Sequence, residues 1–141
     1  MSVTSTVEFE VRWGECDPAG IVYHPHYLDW FSVTRMHLFR NHGAPYMASF
    51  HDNGVVLVAL GVECEFRKVV RAEDVVRVTA ELLDLTRTRM SIEYRVTDGA
   101  GEMVATGRTR HAFVDKQQRP INVAKKSPEL WSILTRMKSV K

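Results

Sequence analysis

A short stretch near the start of the chain gathers the residue types from which acyl-group chemistry can be built. Residues 14–23 read GECDPAGIVY, with an acid, Asp17, set beside Pro18, Ala19 and Gly20, and the chain then runs directly into His24-Pro25. Proline is favoured at the first position of a helix, so a helix is expected to begin near Pro25. The first amide N–H groups of a helix lack internal acceptors, and the helix dipole adds about half a positive charge there. An oxyanion forming at this end is stabilised. Pro25 brings no amide, which leaves those of His24, His26 and Tyr27. A carboxylate at Asp17, on the loop just before them, can attack an electron-poor carbonyl or take the proton from a water that does so.

Plainer explanations exist for the same residues. Asp-Pro-Ala-Gly is also the ordinary composition of a turn between a strand and a helix. His24 and His26 form an H-x-H pair with no third ligand at metal spacing, so neither a metal nor a redox cofactor is expected. Cys16, beside a proline turn, reads more readily as a small packed residue than as a nucleophile. It and Cys64 are the two cysteines, fit no CxxC or Cys/His spacing, and are expected as reduced thiols.

The elements that must hold this loop can be read from periodicity. Residues 7–13 alternate, with Val7, Phe9, Val11 and Trp13 on one side and charged residues on the other, which predicts a half-buried strand. After the loop, Tyr27, Trp30, Phe31, Thr34 and Leu38 recur at steps of three and four, with Leu28 and Phe39 widening the stripe and Gly43 placed to cap the end. That predicts a mostly buried helix ending near residue 42. Residues 55–62 carry no charge, which predicts a strand buried on both faces at its start. Alternation then predicts strands over 76–82 and 90–97, and Asp98-Gly99-Ala100-Gly101 reads as a hairpin leading to a last strand over 102–114. Ser127-Pro128 opens a C-terminal helix carrying Leu130, Ile133, Leu134 and Met137. No second helix is available to cross between parallel strands, so the sheet is antiparallel and curls around the one long helix, an α+β arrangement.

Composition bounds the rest. With 141 residues, 45% of them apolar and 26% charged, the chain has the size of one soluble globular domain spanning 1–141. A net charge of +2 gives no support to nucleic-acid binding. No uncharged stretch approaches the ~20 residues needed to span a bilayer, and the N-terminus lacks the pattern of a signal peptide, so a cytoplasmic protein with no integral membrane segment is expected.

The segment VRWGECDPAGIVYHPHY at 11–27 resembles the signature of the 4-hydroxybenzoyl-CoA thioesterase family of hotdog-fold proteins, including its Tol-Pal-associated acyl-CoA thioesterase branch. Strand order and length agree beyond it. The resemblance implies a hotdog fold and hydrolysis of an acyl or aroyl thioester to free acid and coenzyme A. In it, Asp17 acts as nucleophile or general base, and backbone near Tyr23 and His24 forms the oxyanion hole. It further implies that the His24 side chain orients acid or substrate; Tyr27, with Trp30 and Phe31, is of a type to line an acyl or aromatic pocket, although aromatics at helical spacing are most often core. Arg87 and Arg89 would bind the nucleotide end of coenzyme A, with Lys68 and Arg71 as a second basic cluster. Subunits would associate as a homodimer or homotetramer with active sites at their interface. Where some members hold a 4-hydroxybenzoyl hydroxyl with an acid on the central helix, the aligned residue is Ser32, with Asp29 one turn earlier. The rival functions on this fold are a hydroxyacyl-thioester dehydratase and a non-catalytic acyl-CoA binding module.

Overall fold

The computed structural model describes residues 3–138. Five strands, β1 (Thr4–Glu10), β2 (Val56–Phe66), β3 (Val75–Leu85), β4 (Arg89–Asp98) and β5 (Met103–Val114), form one sheet in the order β1-β3-β4-β5-β2. Every pairing is antiparallel. The long helix α1 (His26–Asn41) lies across the sheet, and α4 (Pro128–Lys138) closes the chain. Two short helices that periodicity did not suggest, α2 (Tyr46–Ser49) and α3 (Val123–Lys126), lie in the connections leading to β2 and to α4.

Local chemistry explains the connections. At the β4–β5 turn the Asp98 carboxylate accepts the amides of Ala100 and Glu102 at 2.9 and 3.0 Å, fixing the hairpin its sequence announces. Ser127 Oγ accepts the Leu130 amide at 3.3 Å and so caps α4, whose Leu130, Ile133, Leu134 and Met137 are buried as their spacing requires. On α1 the expected stripe of Tyr27, Trp30, Phe31, Thr34, Leu38 and Phe39 is buried. Phe31 stacks on Tyr94 of β4 at 4.4 Å, directly above Gly107 of β5, where any Cβ would collide with the Phe31 ring. The sheet curls closely around the helix at this point because position 107 carries no side chain.

Three expectations need correction. The first strand ends at Glu10, and Trp13, expected to point inward, is 80% exposed, because the chain turns away after Val11 into a 3-10 turn at Trp13–Glu15. Leu28 does not widen the buried stripe; it sits at the open edge of α1. The uncharged run at 55–62 is not buried on both faces even at its start: Val55 is buried, but Val56, Leu57 and Val58 are only half-buried, and further on Leu60 and Val62 are 44% and 46% exposed. The reason is topological. β2 is an edge strand, and α1 packs toward the opposite side of the sheet, where Phe9 stacks on Trp30 at 5.9 Å and Asn41 bonds Ser5 at 3.2 Å.

Under the open side lies a polar chain. Arg35 of α1 donates to the Tyr94 hydroxyl at 3.0 Å, the Tyr94 and Thr109 hydroxyls are hydrogen-bonded at 2.7 Å, and Thr109 meets His111 Nε2 at 2.8 Å. His111 Nδ1 is buried with no hydrogen-bond partner among the described residues. Burial, and then the Arg35 charge, lower the His111 pKa from 6.5 to about 4, against a smaller opposing pull from the Val58 backbone. The folded protein therefore prefers neutral His111. Between pH 6.5 and 4 the unfolded chain binds the extra proton, so stability complete above pH 6.5 falls as the pH drops toward 4. The loss is at most about 3 kcal/mol at 1.36 kcal/mol per unit. Urea midpoints measured across this window should fall in the native protein and flatten in His111→Gln; equal slopes in the two would remove His111 as the cause.

Candidate active site

The loop between β1 and α1 is held by a buried carboxylate. Glu15 Oε1 accepts the Arg12 amide at 2.9 Å, while Oε2 accepts the Trp30 indole N–H at 3.0 Å and an Arg12 guanidinium N–H at 3.3 Å. Burial pushes the Glu15 pKa up, but those hydrogen bonds and the Arg12 charge outweigh it and hold the carboxyl below its ordinary value. A buried charge is tolerated only with such partners. The main chain of Glu15 acts as well, because its carbonyl accepts the Tyr23 amide at 2.9 Å. Both ends of the loop are thereby tied to one residue.

Between these ties the chain makes a small closed hairpin. Cys16 and Val22 form a bridge, the Asp17 amide donates to the Ile21 carbonyl at 2.9 Å, and the Gly20 amide returns to the Asp17 carbonyl at 2.9 Å. Gly20 takes φ +81°, a conformation that a residue without Cβ adopts at little cost. The Asp17 side chain lies half-buried, with Oδ1 accepting the Ala19 amide at 2.8 Å and Oδ2 unengaged among the described residues.

Asp17 lines a cleft of about 370 Å³ together with Ile21, His24, Tyr27, Phe66 and Lys68. The His24 ring packs edge-on against Tyr23 at 5.0 Å and Phe66 at 6.3 Å, and no hydrogen bond joins it to Asp17. Tyr27 is buried against Phe66 at 5.0 Å, and burial, with a contribution from Cys64, raises its phenol to about 12, so it keeps its proton at neutral pH. Burial also raises the Cys64 thiol to about 11; both cysteines are free. The Cys16 Sγ turns to the Arg12 carbonyl at 3.8 Å.

At the helix start most amides already have acceptors. His26 donates to the Tyr23 carbonyl at 3.0 Å, Tyr27 to His24 at 3.2 Å, and Tyr23 to Glu15. The His24 amide has no acceptor among the described residues, which narrows the expected donors to this one. Arg87 and Arg89 do not join the cleft within one chain. They sit at the β3–β4 turn, where Arg87 lies over the Trp131 ring at 5.6 Å, whereas Phe66 of the cleft lies level with Val78 through Ala105 and Val96, about seven residue steps or roughly 23 Å back along β3. The basic residues beside Asp17 are Arg67 and Lys68, and Lys68 is tied to Asp98 and Glu102. Arg71 lies nearby in sequence but does not line the cleft; its amide bonds the Asp74 carboxylate.

Glu15, Phe66 and the apolar lip Val69-Val70 were not singled out by sequence reasoning. For Glu15 a signal exists, the three-residue spacing from Arg12 that a capping arrangement uses. For Phe66 and the lip none does, since a strand-end aromatic and a valine pair fit any sheet. Replacing the carboxylate in Glu15→Gln should cost about 1.5–3 kcal/mol, the range for hydrogen bonds to a charged group. Denaturant titration reads that loss; a change below about 0.5 kcal/mol would show that the loop does not depend on it.

With this geometry in view, similarity to known proteins becomes specific. The sequence profile of the Thioesterase-like superfamily matches residues 11–134. YneP of Bacillus subtilis (strain 168), named as an acyl-CoA thioesterase, is 29% identical over 126 residues, covering 89% of this chain and 91% of that protein. An Aquifex aeolicus (strain VF5) protein named as an esterase is 31% identical over 120 residues, covering 85% of this chain and 91% of its own length. In fold, a DHNA-CoA thioesterase from Staphylococcus aureus superposes with a TM-score of 0.92 at 22% identity, over 97% of this chain and 92% of that one. The profile match begins just after β1 and ends within α4, most of the chain, so the chain belongs to the Thioesterase-like superfamily and is a hotdog-fold thioester hydrolase.

Proposed function

We propose that the protein hydrolyses acyl-CoA thioesters within the 4-hydroxybenzoyl-CoA thioesterase family, on the side of its Tol-Pal-associated branch, and that Asp17 and the His24 amide carry the reaction. The observation that supports this is one cleft holding a carboxylate with a free oxygen and a residue whose helix-start amide lacks an acceptor among the described residues. The thioester carbonyl oxygen accepts from His24 N–H, where the developing negative charge also meets the α1 dipole. Asp17 Oδ2 then attacks the carbonyl carbon or removes a proton from an attacking water. Either route consumes one water and yields free acid and the thiol of coenzyme A. The His24 ring walls the cleft beside Tyr27, and this packing orients the substrate.

The working unit is a dimer joined along β2. This strand leaves eleven residues of an edge unpaired, with Leu60 and Val62 exposed and no proline to blunt it. A second copy pairing antiparallel along the edge satisfies its free backbone groups and covers Leu60. Such a two-fold also reverses the partner sheet, bringing its β3–β4 turn to the level of this chain's Asp17 cleft. Arg87 and Arg89 thereby reach the nucleotide end of coenzyme A across the interface.

Two outcomes check the reading. Thiol release from acyl-CoA by Asp17→Asn should drop at least about 100-fold while coenzyme A binding persists in calorimetry, the scale of a lost acid–base or nucleophilic group. Near-native hydrolysis would remove Asp17 from the mechanism, and conversion to an enoyl product in place of thiol release would point to a dehydratase. Light scattering should show a dimer or tetramer, and Leu60→Asp should shift it to smaller species with reduced turnover; a native monomer would contradict the interface.

A further inference from the structure

Beyond the Asp17 cleft the facing edges of α1 and β2 are left partly uncovered, with Leu28, Val62 and Phe66 at 38%, 46% and 51% exposure, and the uncovered space between them is an open trough. One wall is the edge of α1 formed by Leu28, Ser32 and Arg35, spaced i, i+4 and i+7 on one side of the helix. The other is the inward face of β2, where Phe66, Cys64 and Val62 pair with Ala105, Gly107 and Thr109. Both walls run the same length. Tyr27 to Arg35 is eight helical steps, about 12 Å, and Phe66 to Val62 is four strand steps, about 13 Å.

At the far end stands a cation with no counter-ion among the described residues. Arg35 is half-buried, and its two side-chain hydrogen bonds go to neutral hydroxyls, Tyr94 at 3.0 Å and Ser32 at 3.3 Å. It takes part in none of the ion pairs among the described residues. A guanidinium has five N–H donors in a planar fork suited to two oxygens of one anion, so most of its capacity is unused. Behind it, Tyr94 and Thr109 lead to His111, fully packed and with Nδ1 unpartnered among the described residues, so no anion approaches from the protein side either. A half-buried guanidinium left this way still has donors free for an anion that enters from the open side.

We propose that Arg35 is a specificity-determining residue that recognises an oxyanion at the far end of the acyl group. The substrate class is then a coenzyme A thioester whose acyl group ends in a carboxylate or a comparable anionic oxygen. This rests on the thioester lying in the Asp17 cleft. The guanidinium reaches back to Ser32, five residues beyond Tyr27 or about 7.5 Å along the axis, so the anion is met part-way along α1 and compact acyl groups, a six-carbon diacid or a benzoyl ring substituted opposite its carbonyl, serve as probes. Leu28 and Val62 supply the apolar middle of the trough.

The test compares kcat/KM for two matched pairs, adipyl-CoA with hexanoyl-CoA and 4-carboxybenzoyl-CoA with 4-methylbenzoyl-CoA, by thiol release from the full protein. The native chain should favour the acid-bearing member of each pair at least about tenfold, the scale of a charge-assisted hydrogen bond. Arg35→Gln should bring the ratio close to one, chiefly through KM for the acid, and Arg35→Lys should retain part of it. Equal rates for both members in the native protein, or a preference that survives Arg35→Gln, would overturn the assignment while leaving thioester hydrolysis intact. Absence of thiol release from all four compounds would overturn the thioesterase reading and this inference with it. The native-protein ratio decides the question even if a variant does not fold.

Discussion

A single buried carboxylate organises the chemistry of this protein. Glu15 gathers three side-chain hydrogen bonds from Arg12 and Trp30 and a fourth contact through its own carbonyl to Tyr23. Trp30 is locked in the core of α1, so the loop is referenced to the helix rather than left to follow its own turn preferences. Because the Tyr23 amide is engaged by Glu15, and the His26 and Tyr27 amides turn back on their own loop, His24 is left with its N–H open beside the cleft. Without that anchoring, Asp17 and the helix start would share a loop without sharing a geometry.

The second organising feature is asymmetry in how α1 sits on the sheet. The helix packs against β1 through Trp30 and Asn41 and over β4 through Phe31, leaving the β2 side uncovered. That one displacement accounts for the exposure of Val62 and Phe66, for the trough below the cleft, and for the open edge that a second copy fits. Gly107 permits it by allowing Phe31 to lie flat over β5. Substrate space and association surface are in this sense the same unfilled half of the core.

Much of the architecture was legible from periodicity. Alternation marked β3 and β4, the stripe from Tyr27 to Leu38 marked α1, and Asp98 with its glycines marked the hairpin and the strand that follows it. What failed did so for reasons outside local pattern. Trp13 continues an alternating run by residue type, but the Glu15 bonds bend the chain before it. The uncharged run in β2 looked like a doubly buried strand because hydrophobicity cannot say whether the covering surface belongs to the same chain. Asp17, His24 and Tyr27 were identified by their segment and meet in one cleft; Arg87 and Arg89, equally visible as basic residues, lie at the opposite end of the sheet because strand length, not sequence spacing, separates them. Arg35 gave no signal at all, since an arginine on a helix is ordinarily solvated, and only its neutral neighbours set it apart.

The most direct measurement is the crystal structure of the Asp17→Asn protein with a coenzyme A ketone in which a methylene replaces the thioester sulfur. The account predicts the ketone oxygen within about 3 Å of the His24 amide nitrogen and the substituted side chain at position 17 against the carbonyl carbon, as differential stabilisation of the oxyanion requires. A ketone oxygen bound elsewhere, or residue 17 turned away from the carbonyl with the His24 amide facing water, would contradict it.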